Sequence, residues 1–203
     1  MPQVYAIDGI VPVVDPSAFV HPSAVLIGDV IVGARAYIGP CASLRGDFGR
    51  IVVEEGANIQ DHCTMHGFPG KDTVAGAEST IGHGAILHGC VIRRGALVGM
   101  NAVVNDNADV GEDAVIAALA FVKAETRIPA HSLAAGIPAR VLRELSAEEI
   151  RWKHDNMLLY QQLALRSATT MKRVEALTRV EPGRRRIDIP GAIPLSELKS
   201  KHG

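Results

Sequence analysis

The chain has 203 residues, of which 47% are apolar; 21 are Lys or Arg and 22 are Asp or Glu, for a formal charge of −1. This length suits one domain with an appendage, and the lack of a basic excess argues against a nucleic-acid partner. No apolar run approaches the roughly 18 residues of a membrane span, and the N-terminus lacks the charged start of a secretory signal. Because the three cysteines also form no CxxC pair, we expect a cytoplasmic protein without a membrane partner.

Aliphatic residues recur every six positions, while aromatic residues make up only 4% of the chain. The aliphatic positions run from Val14 to Leu44, slip by three, break over residues 67–80, and continue from Ile81 to Ile128. A small residue, mostly Ala, lies four positions after most of them. Period six is a multiple of the strand period and does not match a helix, so we predict short strands that turn corners and stack in parallel as a triangular prism of about six or seven coils. The number of repeats disfavours the alternative, an ordinary sandwich of alternating strands.

A helix is predicted to follow the prism, which ends near residues 134–140. Ser146 and Glu149 form a capping box, and apolar residues at helical spacing, such as Met157 and Leu165, give the helix a stripe that must pack on a flat side of the prism. A second helical stretch over residues 168–177 can continue it. The sequence therefore predicts three parts: a β-helix domain over 1–145, a helical segment packing on it over 146–181, and a tail over 182–203.

Three histidines lie around the break in the repeat. His66 and His88 directly follow inward aliphatic positions, so both point out of the prism from the same position of the hexad, on neighbouring coils if the intervening loop bulges away. Two imidazoles stacked in this way can share a metal. His83 occupies the next position of its hexad and points elsewhere, so a third ligand is expected from a neighbouring subunit. Each histidine alone is more readily a surface residue, but three His ligands with one open position are typical of a catalytic zinc site.

Polar residues accompany these histidines, and together they resemble the γ-class carbonic anhydrase branch of the hexapeptide-repeat proteins. Arg45 and Asp47 alone would indicate only a salt bridge on one side of a strand. The motifs that carry the resemblance are Leu44-Arg45-Gly46-Asp47, Asn58-Ile59-Gln60-Asp61, Met65-His66-Gly67, Ile81-Gly82-His83 and Leu87-His88-Gly89-Cys90. The resemblance covers residues 5–165. It implies a left-handed parallel β-helix followed by a C-terminal helix, assembled as a homotrimer.

The same resemblance implies roles for individual residues. His66, His83 and His88 would bind a divalent metal across subunit interfaces, with Zn²⁺ expected first and Fe²⁺ or Co²⁺ as alternatives. Arg45 and Asp47 would form a cross-subunit ion pair, and Gln60 would orient the metal-bound solvent. Tyr160 aligns with a tyrosine that reaches the metal site from the C-terminal helix, although packing of that helix explains it equally well.

Within this branch, other segments resemble a thioesterase subfamily of phenylacetate catabolic operons, with a carnitine-operon subfamily as a near relative. The segments are Arg45–Val53, His66–Pro69, Asp72–Val74 and Glu181–Arg184. This resemblance implies hydrolysis of CoA thioesters of ring-hydroxylated phenylacetate by metal-activated water. Phe48 occupies the position of an acidic proton-transfer residue in carbonic anhydrases of this class, so fast hydration of carbon dioxide is not expected.

Two alternatives from other functional classes stay open at this point. One is a carbonic anhydrase that uses the same site, and the other is a non-catalytic accessory or activator protein that retains a metal. Acyl transfer is common among hexapeptide-repeat proteins, but those enzymes usually place a catalytic histidine without this metal triad, so acyl transfer is less favoured.

Overall fold

Residues 3–136 wind into a parallel β-solenoid of about seven coils, in a computed structural model that describes residues 2–190 and 197. The strands described are β1 Gln3–Tyr5, β2 Val13–Val14, β3 Phe19–Val20, β4 Val25–Val32, β5 Tyr37–Ile38, β6 Ser43–Val53, β7 Asn58–Ile59, β8 Thr64–His66, β9 Thr73–Ala75, β10 Thr80–Ile81, β11 Ile86–His88, β12 Val91–Ile92, β13 Leu97–Val98, β14 Val103–Val104, β15 Asp109–Val110, β16 Val115–Ile116, β17 Phe121–Val122, β18 Arg127–Ile128, β19 Ser132–Gly136 and β20 Ala139–Glu144.

The strands form the three faces of a prism. Face A contains β1, the start of β4, the start of β6, β8, β11, β14 and β17; face B contains β2, the ends of β4 and β6, β9, β12, β15 and β18. Face C contains β3, β5, β7, β10, β13, β16 and β19, and β20 closes it as an antiparallel edge. The predicted architecture, a parallel β-helix followed by a C-terminal helix, is confirmed.

The core is a set of aliphatic ladders with one rung per coil. On face A, Leu87 lies opposite Met65 on one side and Val104 on the other, and all three side chains are fully buried. Small residues such as Ala85 and Ala102 fill the positions beside the corners. A two-residue strand has no stability alone, so the stacking of coils stabilises the fold, at about 1.5–3 kcal/mol for each large aliphatic side chain buried.

The break in the repeat is shorter than the sequence pattern indicated. Only residues 67–72 leave the prism, because β9 pairs with both β6 and β12 in face B. The pattern was hidden because the buried residues that follow are small or polar rather than aliphatic: Thr73, Ala75, Ala77 and Ser79.

The helix α1, Ala147–Thr170, begins with the predicted capping box. It packs on face C against β3, β5 and β7. Its buried face contains Lys153, Met157 and Ala164, whereas Leu165, which the pattern assigned to the packing stripe, is 69% exposed. Ala164 takes that place because its small side chain lets the helix approach the aromatic rings of β3 and β5.

The chain after α1 differs from the prediction of a longer helical segment. The helix ends at Thr170, and residues 171–190 are exposed and not helical. At the last turn the hydroxyl of Thr170 donates to the carbonyl of Arg166. Residues 171–190 bury no surface that would compensate for the loss of backbone entropy in further helical turns. The predicted tail over 182–203 lies outside the described residues for 191–196 and 198–203. Among the helical residues described, no segment is both long and apolar enough to cross a membrane.

Candidate metal centre

His66 and His88 lie side by side on face A. They end β8 and β11, where the two residues are direct partners in the parallel register. His66 Nδ1 lies 3.2 Å from His88 Nε2, and the ring centroids are 5.2 Å apart. In a tetrahedral zinc site with Zn–N bonds of about 2.0–2.1 Å, neighbouring ligand nitrogens are about 3.3 Å apart. The two imidazoles therefore have the spacing that one metal ion requires.

The outer nitrogen of each imidazole contacts a carboxylate. His66 Nε2 lies 3.1 Å from Asp47 Oδ1, and His88 Nδ1 lies 2.7 Å from Asp106 Oδ1. A carboxylate in this position fixes the tautomer and the ring orientation of a metal-binding histidine. The donor set on face A thus fits a metal ion as two oriented imidazoles.

Arg45 holds Asp47 in its charged form. Its Nη1 donates a 2.6 Å hydrogen bond to Asp47 Oδ2 within the same chain. Burial opposes ionisation of Asp47, but the hydrogen bond and charge of Arg45 outweigh it and lower the pKa of the carboxyl group. The ion pair that the sequence indicated is therefore present in one chain, and its cross-subunit form stays a prediction.

His83 precedes strand β11, whereas His88 ends it. His83 therefore lies at the corner between faces C and A, at the other end of that strand. Its Nδ1 lies 3.1 Å from Asp61 Oδ2. The other ring nitrogen of His83, Nε2, is therefore the one left to bind a metal ion. Its backbone N–H donates to Gln60 Oε1 at 3.2 Å, and Gln60 Nε2 donates to Asn58 Oδ1 at 3.1 Å. No cluster of three or more potential metal-binding side chains occurs among the described residues of this single chain.

Tyr160 lies on the side of His83 rather than beside the histidine pair. Its ring packs on Tyr37 at 5.7 Å between centroids. Burial, with a smaller contribution from the charge of Asp61, raises the pKa of Tyr160 to about 12. Tyr160 therefore stays neutral at physiological pH and takes part in packing the helix on face C. A catalytic role for it stays a prediction.

The structure thus divides the predicted site residues into two groups. Arg45, Asp47, His66 and His88 meet on face A, and Gln60, His83 and Tyr160 gather near the corner of faces C and A.

The sequence pattern gave no orienting role to two carboxylates, although one of them, Asp61, belongs to the motif Asn58-Ile59-Gln60-Asp61. They are Asp106, which contacts His88 from a position 18 residues later, and Asp61, which lies one coil below His83. Counting three hexads on from His88 would have identified Asp106, whereas Asp61 lies 22 residues before His83, a separation that includes the loop over 67–72.

Thr73 joins the two histidine-bearing coils to the loop that lies between them. Its buried hydroxyl donates to the carbonyl of His66 at 2.7 Å and accepts from the N–H of Gly89 at 3.0 Å. His66 is one member of the imidazole pair and Gly89 directly follows the other, so the hydroxyl fixes the backbones that carry the two rings. The loop over 67–72 therefore leaves and re-enters the prism without separating the histidines.

Comparison with known proteins identifies the family. The carnitine operon protein CaiE of Salmonella typhimurium is 55% identical over 183 residues, which is 90% of this chain and 92% of the relative, and the CaiE of Salmonella newport shows the same identity and coverage. The chain belongs to the CaiE family. No protein-family model matches it. The predicted near relationship to a carnitine-operon protein is confirmed, whereas a still closer relationship to the phenylacetate-operon protein PaaY stays a prediction.

Two solved structures share the fold of this CaiE-family chain. A putative acetyltransferase from Bacillus cereus has a TM-score of 0.79 and 34% identity, covering 80% of this chain and 95% of the other. A hexapeptide transferase family protein from Anaplasma phagocytophilum has a TM-score of 0.78 and 37% identity, covering 80% and 96%. These likenesses support the left-handed hexapeptide-repeat β-helix.

Proposed function

We propose that this CaiE-family chain is a metal-dependent hydrolase of CoA thioesters, with arylacetyl thioesters of the ring-hydroxylated phenylacetyl type as substrates. The observation that carries the proposal is the 3.2 Å approach of His66 Nδ1 to His88 Nε2, with a carboxylate behind each ring. A direct hydrogen bond between the rings also spans 3.2 Å, but when both carboxylates accept the outer N–H groups of neutral imidazoles, both inner nitrogens carry lone pairs, and a cation is what such a pair binds. A divalent ion at this place lowers the pKa of water towards 7 and supplies a nucleophile at neutral pH.

The residues of this chain have separable roles in the proposed reaction. His66 and His88 hold the ion, Asp47 and Asp106 orient their rings, and Arg45 keeps Asp47 ionised. The arrangement is rigid because each ring is held by a strand, by a carboxylate and by its neighbour ring. Zn²⁺ suits this nitrogen-rich donor set, and Fe²⁺ or Co²⁺ also accept imidazole ligands.

Completion of the site requires a second subunit. His83 lies on another corner of the prism, it is oriented by Asp61, and its side chain is 46% exposed. We therefore infer a homotrimer in which His83 of one chain reaches the imidazole pair of its neighbour. Gln60 is buried, accepts from the backbone of His83 and donates to Asn58, so its proposed role of orienting the reacting water or carbonyl falls to the remaining amide hydrogen.

Hydration of carbon dioxide is the second candidate because it needs the same donor set. At the position where carbonic anhydrases of this class carry an acidic residue, this chain has Phe48, which contacts His66 at 5.5 Å between ring centroids and carries no titratable group. Rapid hydration requires a proton to leave at each turnover, and a phenyl ring cannot accept it. Acyl transfer uses the same fold without the converging imidazoles, whereas a non-catalytic accessory protein that retains a metal would keep them and lack activity on thioesters.

The decisive experiment compares activities on one preparation. The purified protein is assayed for thiol release from phenylacetyl-CoA and for hydration of carbon dioxide, before and after treatment with a chelator and after Zn²⁺ is restored. We expect thioester hydrolysis that chelation abolishes and zinc restores. Hydrolysis that persists after all metal has been removed would refute the proposal, and hydration without hydrolysis would favour carbonic anhydrase.

A matched pair of variants ties the activity to this site. His83→Ala removes a proposed ligand, whereas His154→Ala removes an exposed histidine of α1 that lies outside the candidate site. We expect the first variant to lose metal and activity and the second to keep both. Equal behaviour of the two variants would contradict the assignment of His83.

A further inference from the structure

Four aromatic rings form a continuous row across the candidate centre. Phe48 contacts His66 with 5.5 Å between centroids, His66 contacts His88 at 5.2 Å, and His88 contacts Phe68 at 5.1 Å with nearly perpendicular ring planes. The two phenylalanines terminate the row, one beyond each imidazole. Phe48 is 60% exposed and Phe68 is 53% exposed in the single chain, so neither ring is enclosed by the residues of its own chain.

Backbone packing holds the two phenylalanines in this arrangement. Gly49 follows Phe48, and a Cβ atom at Gly49 would lie 2.3 Å from the carbonyl oxygen of Phe68. Only glycine permits this approach, so the strand that carries one ring and the loop that carries the other are seated directly on each other. Thr73 holds the start of the same loop through the carbonyl of His66. The phenyl groups are therefore placed by the fold and are not free ends of a loose loop.

The dimensions of the row suit a ring attached through one carbon to a reacting carbonyl. From the contacts of the row, each phenylalanine centroid lies within about 8 Å of the midpoint between the imidazoles. In an arylacetyl group the ring centre lies about 4 Å from the carbonyl carbon, and aromatic rings contact one another at roughly 4.5–7 Å between centroids. A carbonyl held at the imidazole pair therefore leaves its aryl ring in contact with a phenylalanine.

We propose that Phe48 and Phe68 are the specificity-determining residues of this chain and bind the aryl ring of an arylacetyl thioester. The inference rests on the proposed hydrolase function and adds to it the residues that select the acyl group. An aromatic ring is favoured over an alkyl group of equal size because edge-to-face and offset contacts with two phenyl rings add to the burial of apolar surface. Phe48 thus contributes to substrate binding at a position that carries no proton-transfer group.

The kinetic test compares phenylacetyl-CoA with cyclohexylacetyl-CoA, which has nearly the same shape but no aromatic ring. Phe48→Leu and Phe68→Leu keep an apolar side chain and remove the ring, and Phe121→Leu removes a ring from the same face at β17, two coils from His88. We expect each of the first two variants to lower the ratio of kcat/KM for the two substrates about 2- to 10-fold, as loss of one aromatic contact implies. Phe121→Leu is expected to leave the ratio unchanged.

A binding measurement without turnover separates this inference from the proposed function. The dissociation constants of phenylacetate and cyclohexylacetate are measured by ligand-detected NMR on the metal-loaded wild type and on the three variants. Weaker binding of phenylacetate to the Phe48 and Phe68 variants, with cyclohexylacetate unaffected, supports the aryl site even if no thioester is hydrolysed. The inference is overturned if phenylacetate does not bind the wild type, if both variants bind it as the wild type does, or if both variants dissociate the oligomer, because the rings would then serve a subunit contact.

Discussion

Removal of the carboxylates behind the histidines provides a graded test of the candidate metal centre. Asp106 Oδ1 lies 2.7 Å from His88 Nδ1, whereas Asp61 Oδ2 lies 3.1 Å from His83 Nδ1 in a more exposed pair. A shorter and less exposed charge-assisted hydrogen bond orients the ring more strongly. Loss of such a partner typically weakens metal binding about 10- to 100-fold. We expect Asp106→Ala to lie near the upper end of that range and Asp61→Ala near the lower end.

The assay is competition for Zn²⁺ with a chromophoric chelator at fixed protein concentration. Asp106→Asn is an intermediate variant, because it keeps an oxygen that accepts from His88 Nδ1 and loses only the negative charge. Its affinity for Zn²⁺ should lie between those of the wild type and Asp106→Ala. Asp109→Ala is the control, since that carboxylate pairs with Arg93 on face B and contacts none of the three histidines. Equal losses for Asp106→Ala and Asp109→Ala, or full affinity in Asp106→Ala, would refute the reasoning from orientation.

Three other predictions concern assembly and stability. Sedimentation of the metal-loaded protein should give the mass of three chains, and a monomer with a full complement of metal would contradict the contribution of His83 from a neighbour. Leu87→Ala should lower the free energy of unfolding by about 3 kcal/mol, because the site between Met65 and Val104 cannot collapse fully; an unchanged urea midpoint would count against it. Lys153→Met removes the buried partner of Asp113 and should cost about 3 kcal/mol, seen as faster proteolysis of α1, with partial recovery when Asp113→Asn is added.

The architecture of the prism was predictable because its signal is distributed over the sequence. Every coil repeats the same choice of an aliphatic residue facing inward and a small residue at the corner, so single exceptions do not hide the period. The coil after His66 departs from this pattern, because Thr73 and Ser79 are buried although neither is aliphatic. This departure made the break in the repeat look longer than it is. Hydrogen bonding of the Thr73 hydroxyl stabilises its burial, and such a bond depends on atoms from other coils that hydrophobic periodicity cannot represent.

The candidate site was predictable to the extent that it follows the register of the repeat. The shared hexad position of His66 and His88 placed both rings on one face, and the register of β8 and β11 agrees. Asp106 lies three hexads after His88, so the period could have indicated it, whereas Asp61 could not be paired with His83 before the length of the loop over 67–72 was known. The end of α1 was also missed, because the apolar residues beyond Thr170 have helical spacing but find no surface to pack on.

The loop over 67–72 has a consequence for how this protein family can diversify. His66 and His88 are 22 residues apart yet are direct neighbours in the register, whereas His88 and Asp106 are 18 residues apart on successive coils. The surplus lies outside the prism, so insertions or deletions there change no rung of the ladders, while an insertion inside a strand would turn the remaining side chains of that strand to the other face. Natural variants and engineered libraries can therefore alter the length and composition around Phe68 while inheriting the imidazole pair intact. Under the proposed function, substrate choice can evolve at this loop independently of the strands that hold the imidazole pair.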